Sequence, residues 1–153
     1  MAEIDLEALA AGYRHRRTSP ESLARAGLAA EAAGLGPRSV AIDGGGGRGV
    51  HAGVFARCGA SAVVVDRSSA MASAARDAGV LAVVGEAEHL PIRSGVADLV
   101  YFHLSLHYGD WRQMIGEARR SGRPGSVVWV WTFGADHAAS SYLARWFPSV
   151  ALI

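Results

Sequence analysis

Short apolar runs alternate with amphipathic, alanine-rich segments along most of the chain. The runs in which apolar residues are continuous predict β-strands at 39–42, 62–65, 80–84, 97–102 and 126–132. The segments with helical spacing predict helices at 3–11, 20–30, 50–58, 69–78, 111–120 and 136–147. Strands and helices therefore alternate from the first strand onward.

Polar residues mark where several of these elements begin. Ser19 precedes Pro20, which is the arrangement of an N-cap followed by proline in the first helical turn. Asp110 stands three residues before Gln113, and this spacing predicts a capping box. The Arg-Pro-Gly sequence at 123–125 predicts a turn just before the last strand.

Continuous apolar strands separated by helices are typical of a parallel sheet that is covered on both faces. Ligands of such sheets bind at the carboxyl ends of the strands. Polar residues follow four of the predicted strands at this end, and we expect their side chains to converge there: Asp43, Asp66, Glu86 and His103.

Length and charge narrow the class of protein. The chain has 153 residues and a net charge of +1, which fits one domain and gives no sign of a nucleic-acid partner. No apolar run approaches the roughly 18 residues of a membrane helix. The single cysteine, Cys58, and an acidic N-terminus without an apolar segment lead us to expect a cytoplasmic protein.

All basic residues are arginines, since the sequence contains no lysine. A phosphate-binding loop with a Gly-Lys-Ser/Thr signature is therefore excluded, as is a lysine Schiff base. The Tyr/Lys pair of short-chain dehydrogenases is excluded for the same reason.

A run of glycines follows the first strand. Five of the six residues from Gly44 to Gly49 are glycine, and Asp43 precedes them. Strand, glycine turn and helix together direct free backbone N–H groups and a positive helix end toward one point, where a polar or anionic group can bind. A flexible linker is the alternative, although a strand before and a helix after the run disfavour it.

The same run fits two nucleotide-binding patterns. Gly44, Gly46 and Gly49 satisfy the G-x-G-x-x-G fingerprint of dinucleotide sites, and Asp66 lies at a suitable distance for a ribose. Gly45, Gly47 and Gly49 satisfy G-x-G-x-G directly after an acid. A nicotinamide-dependent oxidoreductase therefore stays open as an alternative, as does a binding or scaffold protein without catalysis.

Four segments in the right order resemble the class I S-adenosylmethionine-dependent methyltransferases, in particular their ubiquinone/menaquinone C-methyltransferase-like, small-molecule branch. They are the glycine run at 41–49, the second-strand acid and its continuation at 63–71, the loop and strand at 85–100, and the stretch at 106–126. The resemblance implies a Rossmann-like, doubly wound sheet of five parallel strands in the order 3-2-1-4-5. It also implies a methyltransferase that uses S-adenosyl-L-methionine and releases S-adenosyl-L-homocysteine.

The resemblance assigns cofactor contacts to the strand ends. Backbone at Gly44, Gly45, Gly46 and Gly47 would approach the methionine end, with Asp43 near its amino group. Asp66 would hold both ribose hydroxyls. The adenine would lie among the side chains and backbone of Arg67, Met71, Glu86 and Ala87. His103 is included among the residues around the cofactor.

The acceptor is expected to be a small molecule whose C, O or N atom attacks the methyl group. His103 and His107 are candidate general bases, with Tyr13, Tyr108 and Tyr142 as weaker ones. We expect no metal, because two histidines at a strand end and in a loop lack a third ligand.

We interpret 1–153 as one domain, with N-terminal helices at 1–36, a cofactor core at 37–133 and a final helix at 134–153. The family's last antiparallel strand pair is expected to be absent. The edge of the last strand would then stay uncovered, which favours a homodimer.

Overall fold

The computed structural model describes residues 17–132 and the single residue Gly12. The helices predicted at 3–11 and 136–147, and the C-terminal end where a further strand pair would begin, lie outside the described residues. Tyr13 and Tyr142 lie outside them too.

Among the described residues, five parallel strands form one sheet in the order β3-β2-β1-β4-β5, as predicted. The strands are β1 (Val40–Gly44), β2 (Ser61–Asp66), β3 (Leu81–Val84), β4 (Ala97–His103) and β5 (Gly122–Trp131). The order reverses between β1 and β4, and a crevice for ligands is expected at this point. In the register of the sheet, Asp43 is paired with Val64 of β2 and with Tyr101 of β4.

In the stretch 17–132, four α-helices cover the sheet: α1 (Pro20–Ala32), α2 (Val50–Arg57), α3 (Ser69–Asp77) and α4 (Trp111–Ser121). Single 3-10 turns occur at Ala87–His89 and Leu106–Tyr108. Ser19 caps α1 as predicted, because its side chain accepts the Ser22 N–H at 3.2 Å. None of the helices in the described part of the chain is long and apolar enough to cross a membrane.

The core has two parts, one on each face of the sheet. Leu99 and Tyr101 of β4 pack with residues of α1, α2 and α3, whereas Val100 and Phe102 pack with residues of α4 on the opposite face. Successive residues of a strand point to opposite faces, so β4 supplies both halves of the core. All seven residues of β4 except His103 are buried.

One predicted boundary is wrong, and one predicted cap has a different hydrogen-bond partner. The turn expected at 123–125 lies inside β5, which already begins at Gly122; a register irregularity opposite Ala97 and Leu99 takes up these residues. Gly125 nevertheless has a φ of 84°. The capping box at Asp110 is half formed: its side chain accepts the Arg112 and Gln113 N–H groups, but the Asp110 N–H donates to Glu88 instead of Gln113.

Candidate active site

The glycine turn after β1 is packed too closely for side chains. An ideal Cβ on Gly46 would lie 2.5 Å from Cγ of Asp43, and one on Gly45 would lie 2.6 Å from Cβ of Ser105. A Cβ on Gly44 would collide with the Phe102 ring. Gly45 also has a φ of 68°, and its N–H donates to the Val65 carbonyl at 2.7 Å. Only glycine allows the backbone to run this close to Asp43 and to the end of β4.

Asp43 is buried at the end of β1 with one oxygen unsatisfied. Its Oδ2 accepts the Ala52 N–H from α2 at 3.2 Å, while Oδ1 has no hydrogen-bond partner among the described residues. Burial, and to a smaller extent the nearby Asp66 carboxylate, raise the pKa of Asp43 to about 7. A buried carboxylate in this state gains from any donor or cation that reaches Oδ1.

Asp66 is held in place at the end of β2 by two backbone N–H groups. Oδ2 accepts from Gly47 at 2.8 Å and Oδ1 accepts from Ser68 at 2.9 Å. Each carboxylate oxygen has a second lone pair for another donor. Because the first bond reaches the glycine turn, Asp66 ties the ends of β1 and β2 together with its carboxylate fixed.

Hydrogen bonds link the loops after β2, β3 and β4 to one another. The Arg67 guanidinium donates to the Tyr108 carbonyl at 3.0 Å, and Glu88 accepts the Asp110 N–H at 3.2 Å. Met71 is buried, with its sulfur 3.9 Å from an ideal Cβ on Gly47. Two predicted cofactor residues, Met71 and Gly47, are therefore neighbours, and a third, Arg67, is held against the loop after β4.

The two predicted cofactor residues in the loop after β3 differ in exposure to solvent. Ala87 is buried at the start of a 3-10 turn. The Glu86 side chain is 61% exposed and lies 3.6 Å from Nδ1 of His89. Its contact with an adenine therefore stays a prediction that needs the side chain to turn inward.

The end of β4 carries strain next to His103. Leu104 has a φ of 54°, a conformation that is costly for a residue with a side chain, and its N–H donates to the Trp131 carbonyl at 2.7 Å. The turn brings Ser105 back to the glycine run, where its hydroxyl donates to the Gly44 carbonyl at 2.7 Å. The surface of His107 is largely exposed, but part of its ring is shielded from water, and this desolvation lowers the pKa of His107.

Sequence reasoning missed two polar residues that lie beside His103. The Ser22 hydroxyl of α1 is 2.8 Å from Nε2 of His51 and 3.2 Å from Nε2 of His103. The signal was present as a serine on the buried side of α1 and a histidine in the first turn after the glycine run, but their meeting depends on how α1 packs. Within residues 17–132, no three His, Cys, Asp or Glu side chains are grouped so that they could hold a metal.

The glycine turn, the strand order and the acids at successive strand ends define a Rossmann-like, doubly wound fold. The sequence family described as "Methyltransferase domain" matches residues 42–130, which is more than half of the chain. The chain therefore belongs to this family of methyltransferases. No curated protein matches the sequence.

Solved structures agree with this assignment. A geranyl diphosphate methyltransferase in complex with S-adenosylmethionine is 26% identical with a TM-score of 0.63, over 80% of this chain and 52% of its own. Geranyl diphosphate C-methyltransferase from Streptomyces coelicolor A3(2) is 23% identical with a TM-score of 0.62, over 83% of this chain and 50% of its own.

A Methanococcus maripaludis protein, assigned as an S-adenosyl-L-methionine-dependent methyltransferase, is 21% identical with a TM-score of 0.67, over 79% of this chain and 59% of its own. The likeness to the Streptomyces and Methanococcus proteins is one of fold. The chain thus spans between half and three fifths of the length of these structures.

Proposed function

We propose that the chain binds S-adenosyl-L-methionine and transfers its methyl group to a small-molecule acceptor. The observation that carries the proposal is the unsatisfied Oδ1 of buried Asp43 beside a glycine turn that leaves no room for a Cβ. A ligand with a cationic amino group, such as the methionine end of S-adenosyl-L-methionine, fits this oxygen.

Different residues would bind different parts of S-adenosyl-L-methionine. Asp43 would accept from the amino group, and backbone at Gly44, Gly45 and Gly46 would line the same end. Asp66 would accept from the two ribose hydroxyls, since each of its oxygens is already oriented by one backbone N–H. Arg67, Met71, Glu86 and Ala87 would surround the adenine.

S-adenosyl-L-methionine supplies a methyl group on a sulfonium, which an acceptor takes by in-line displacement. The chain's own part is to bind, orient and exclude water, so positioning carries most of the expected rate enhancement. S-adenosyl-L-homocysteine would be the product. The geranyl diphosphate methyltransferases among the similar structures support a small molecule as acceptor.

We also propose a homodimer that forms through the edge strand β5. Within residues 17–132 only β4 pairs with β5, and Val130 and Trp131 are exposed near its end. A second copy pairing along this edge would make a homodimer.

The cellular compartment and the kind of partner are proposed from composition. Cys58 is exposed and forms no disulfide, which fits a reducing cytoplasm. The balanced net charge does not favour a nucleic-acid partner.

Calorimetric titration with S-adenosylhomocysteine and, separately, with NADH tests the proposed function. We expect heat of binding with the first ligand and none with the second. Asp66→Asn should weaken binding at least tenfold, because it replaces one ribose acceptor by a donor, whereas the exposed Asp77→Asn should not change it. Binding of NADH alone would point to a nicotinamide enzyme, and binding of neither would refute the proposal.

A further inference from the structure

The loop between β3 and β4, residues 85–96, is bound to the end of α4 by one arginine side chain. The Arg120 guanidinium donates to the Leu90 carbonyl at 3.0 Å and to the Ile92 carbonyl at 2.8 Å. Its Nη1 also donates to Oγ of Ser94 at 3.1 Å. One side chain of α4 therefore holds three positions along this loop.

A carboxylate one turn earlier in α4 completes the arrangement. Oε1 of Glu117 accepts from Nε of Arg120 at 2.7 Å, and Oε2 accepts from its Nη2 at 2.8 Å. Oε2 also accepts the Leu90 N–H at 2.8 Å. Hydrogen bonding from Arg120 lowers the pKa of Glu117, so the group is a carboxylate at neutral pH. All five N–H groups of the guanidinium have acceptors, which a lysine could not reproduce.

The opposite end of the loop begins beside Asp66, which is the proposed ribose acceptor. The Gly85 N–H donates to the Asp66 backbone carbonyl at 3.0 Å. Ala87 and Leu90 are buried and belong to the part of the core that also contains Val65 of β2. Ala87, a proposed adenine contact, thus lies in sequence between the attachment at Asp66 and the attachment to α4.

We propose that Arg120 and Glu117 are positioning residues that hold the backbone of Ala87 at the edge of the adenine, and that they thereby set the preference for adenine over other bases. The inference rests on the proposed binding of S-adenosyl-L-methionine. Both side chains act through the loop at 90–94, and neither contacts the cofactor itself.

The preference would come from a hydrogen bond whose donor must be fixed. N1 of adenine accepts a hydrogen bond, whereas N1 of hypoxanthine carries a hydrogen, so that two donors would face each other. A backbone N–H held against this edge therefore favours adenine. A loop that moves freely would adapt to either base, because such discrimination needs the donor in place to within about 0.5 Å. Ordering the loop before binding also reduces the entropy that binding costs.

Calorimetric titration with two ligands separates recognition of the base from the rest of the site. S-adenosylhomocysteine and S-inosylhomocysteine differ only in the base, which is hypoxanthine in the second. We expect the wild type to bind the first at least about tenfold more tightly. Arg120→Ala should weaken binding of S-adenosylhomocysteine at least about tenfold and reduce the ratio of the two affinities to below about threefold. Arg120→Lys should have the same effect, because an ammonium cannot replace the fork of donors.

Two control variants show that the effect belongs to the loop. Arg119→Ala removes the exposed arginine next to Arg120 and should leave both affinities unchanged. Asp66→Asn should weaken both ligands to a similar extent and keep their ratio, because it acts on the ribose that they share. A merely structural role of Arg120 would lower the fraction of folded protein, and hence the measured stoichiometry, but would leave the ratio of affinities unchanged.

An unchanged ratio in Arg120→Ala or in Arg120→Lys would overturn the inference. Should neither variant fold, hydrogen exchange of the wild type decides. Saturation with S-adenosylhomocysteine should slow the exchange of backbone N–H groups in the loop at 85–96, because the adenine contacts this loop. Unchanged exchange there would overturn the inference as well.

The inference can fail without the proposed function. If the wild type binds S-adenosylhomocysteine without preference over S-inosylhomocysteine, or if the preference survives in Arg120→Ala, the assignment of Arg120 is wrong and cofactor binding stands. If the wild type binds neither ligand, the proposed function is wrong and the inference falls with it.

Discussion

At the scale of single residues, the buried carboxyl of Asp43 lowers the stability of the fold in order to form part of the site. Its carboxyl is fully buried beside the glycine turn, has one backbone donor and keeps one oxygen without a partner in the described part of the chain. Desolvation raises its pKa from 3.8 to about 7. A buried carboxylate with an unpaired oxygen destabilises the folded protein at neutral pH. A ligand that donates a hydrogen bond to Oδ1 offsets this cost.

The raised pKa of Asp43 gives a pH dependence with a defined sign. The group is most stabilising below its unfolded pKa, and this contribution is lost as the pH rises through about 7. Between about pH 5 and about pH 8, the wild type should lose roughly 3 kcal/mol of unfolding free energy relative to Asp43→Asn. Urea unfolding of both proteins at the two pH values measures the difference; parallel pH profiles would show that Asp43 ionises normally.

Gly46→Ala tests whether the glycine turn needs bare backbone. A Cβ at this position would lie 2.5 Å from Cγ of Asp43, so we expect a loss of roughly 1–3 kcal/mol in stability and at least tenfold weaker binding of S-adenosylhomocysteine. Gly116→Ala is the matched control, because it lies in α4 with open space around it and should stabilise by up to about 1 kcal/mol. Normal binding by Gly46→Ala would contradict the close approach.

Residues at strand ends could be predicted, and residues joined by packing could not. Asp43 and Asp66 follow apolar runs, and a parallel sheet brings such positions to one edge. Ser22 meets His51 and His103 across 29 and 81 residues of sequence, which no local pattern records. Glu86 lies at the predicted strand end, yet its side-chain direction depends on a short turn and on His89.

At the scale of elements, continuous apolar runs and segments with helical spacing predicted every strand and every α-helix within residues 17–132. The two 3-10 turns were not predicted. Most boundaries agree to within two residues, because caps such as Ser19 and Ser68 fix helix starts locally. The start of β5 could not be predicted from Arg-Pro-Gly, since the extra residues are accommodated by pairing with β4. The partner of the Asp110 N–H depends likewise on where the loop with Glu88 lies.

The two halves of the expected capping box should differ in importance for α4. Asp110→Ala should destabilise the protein by about 1 kcal/mol, because its side chain accepts the N–H groups of Arg112 and Gln113. Gln113→Ala should change stability by less than about 0.5 kcal/mol, since Glu88 takes the place of Gln113. Chemical unfolding of both variants checks this, and equal losses would mean that the full box forms in solution.

At the scale of the whole molecule, the sheet formed by residues 17–132 has helices on both faces and β5 at one edge. The edge is long, running from Gly122 to Trp131, and Trp131 also stacks under the Arg25 guanidinium at 3.9 Å. Exposed backbone donors on such an edge can pair with a second chain.

Association through β5 should be visible by light scattering. At micromolar concentration we expect the mass of a dimer, and Val130→Lys should return the mass of a monomer, because a charge on an edge strand opposes pairing. The exposed Leu81→Lys on β3, at the other edge, should leave the dimer intact. A wild-type monomer, or a dimer lost only with Leu81→Lys, would contradict this edge as the interface.

We infer above all that the glycine turn after β1 and the Asp66 carboxylate at the end of β2 together bind S-adenosyl-L-methionine. A crystal structure of the complex with S-adenosylhomocysteine tests it most directly. We expect both ribose hydroxyls on the Asp66 carboxylate and the amino group near Oδ1 of Asp43. Ligand density at another place on the molecule, or Asp66 turned out to solvent with the ligand bound, would contradict it.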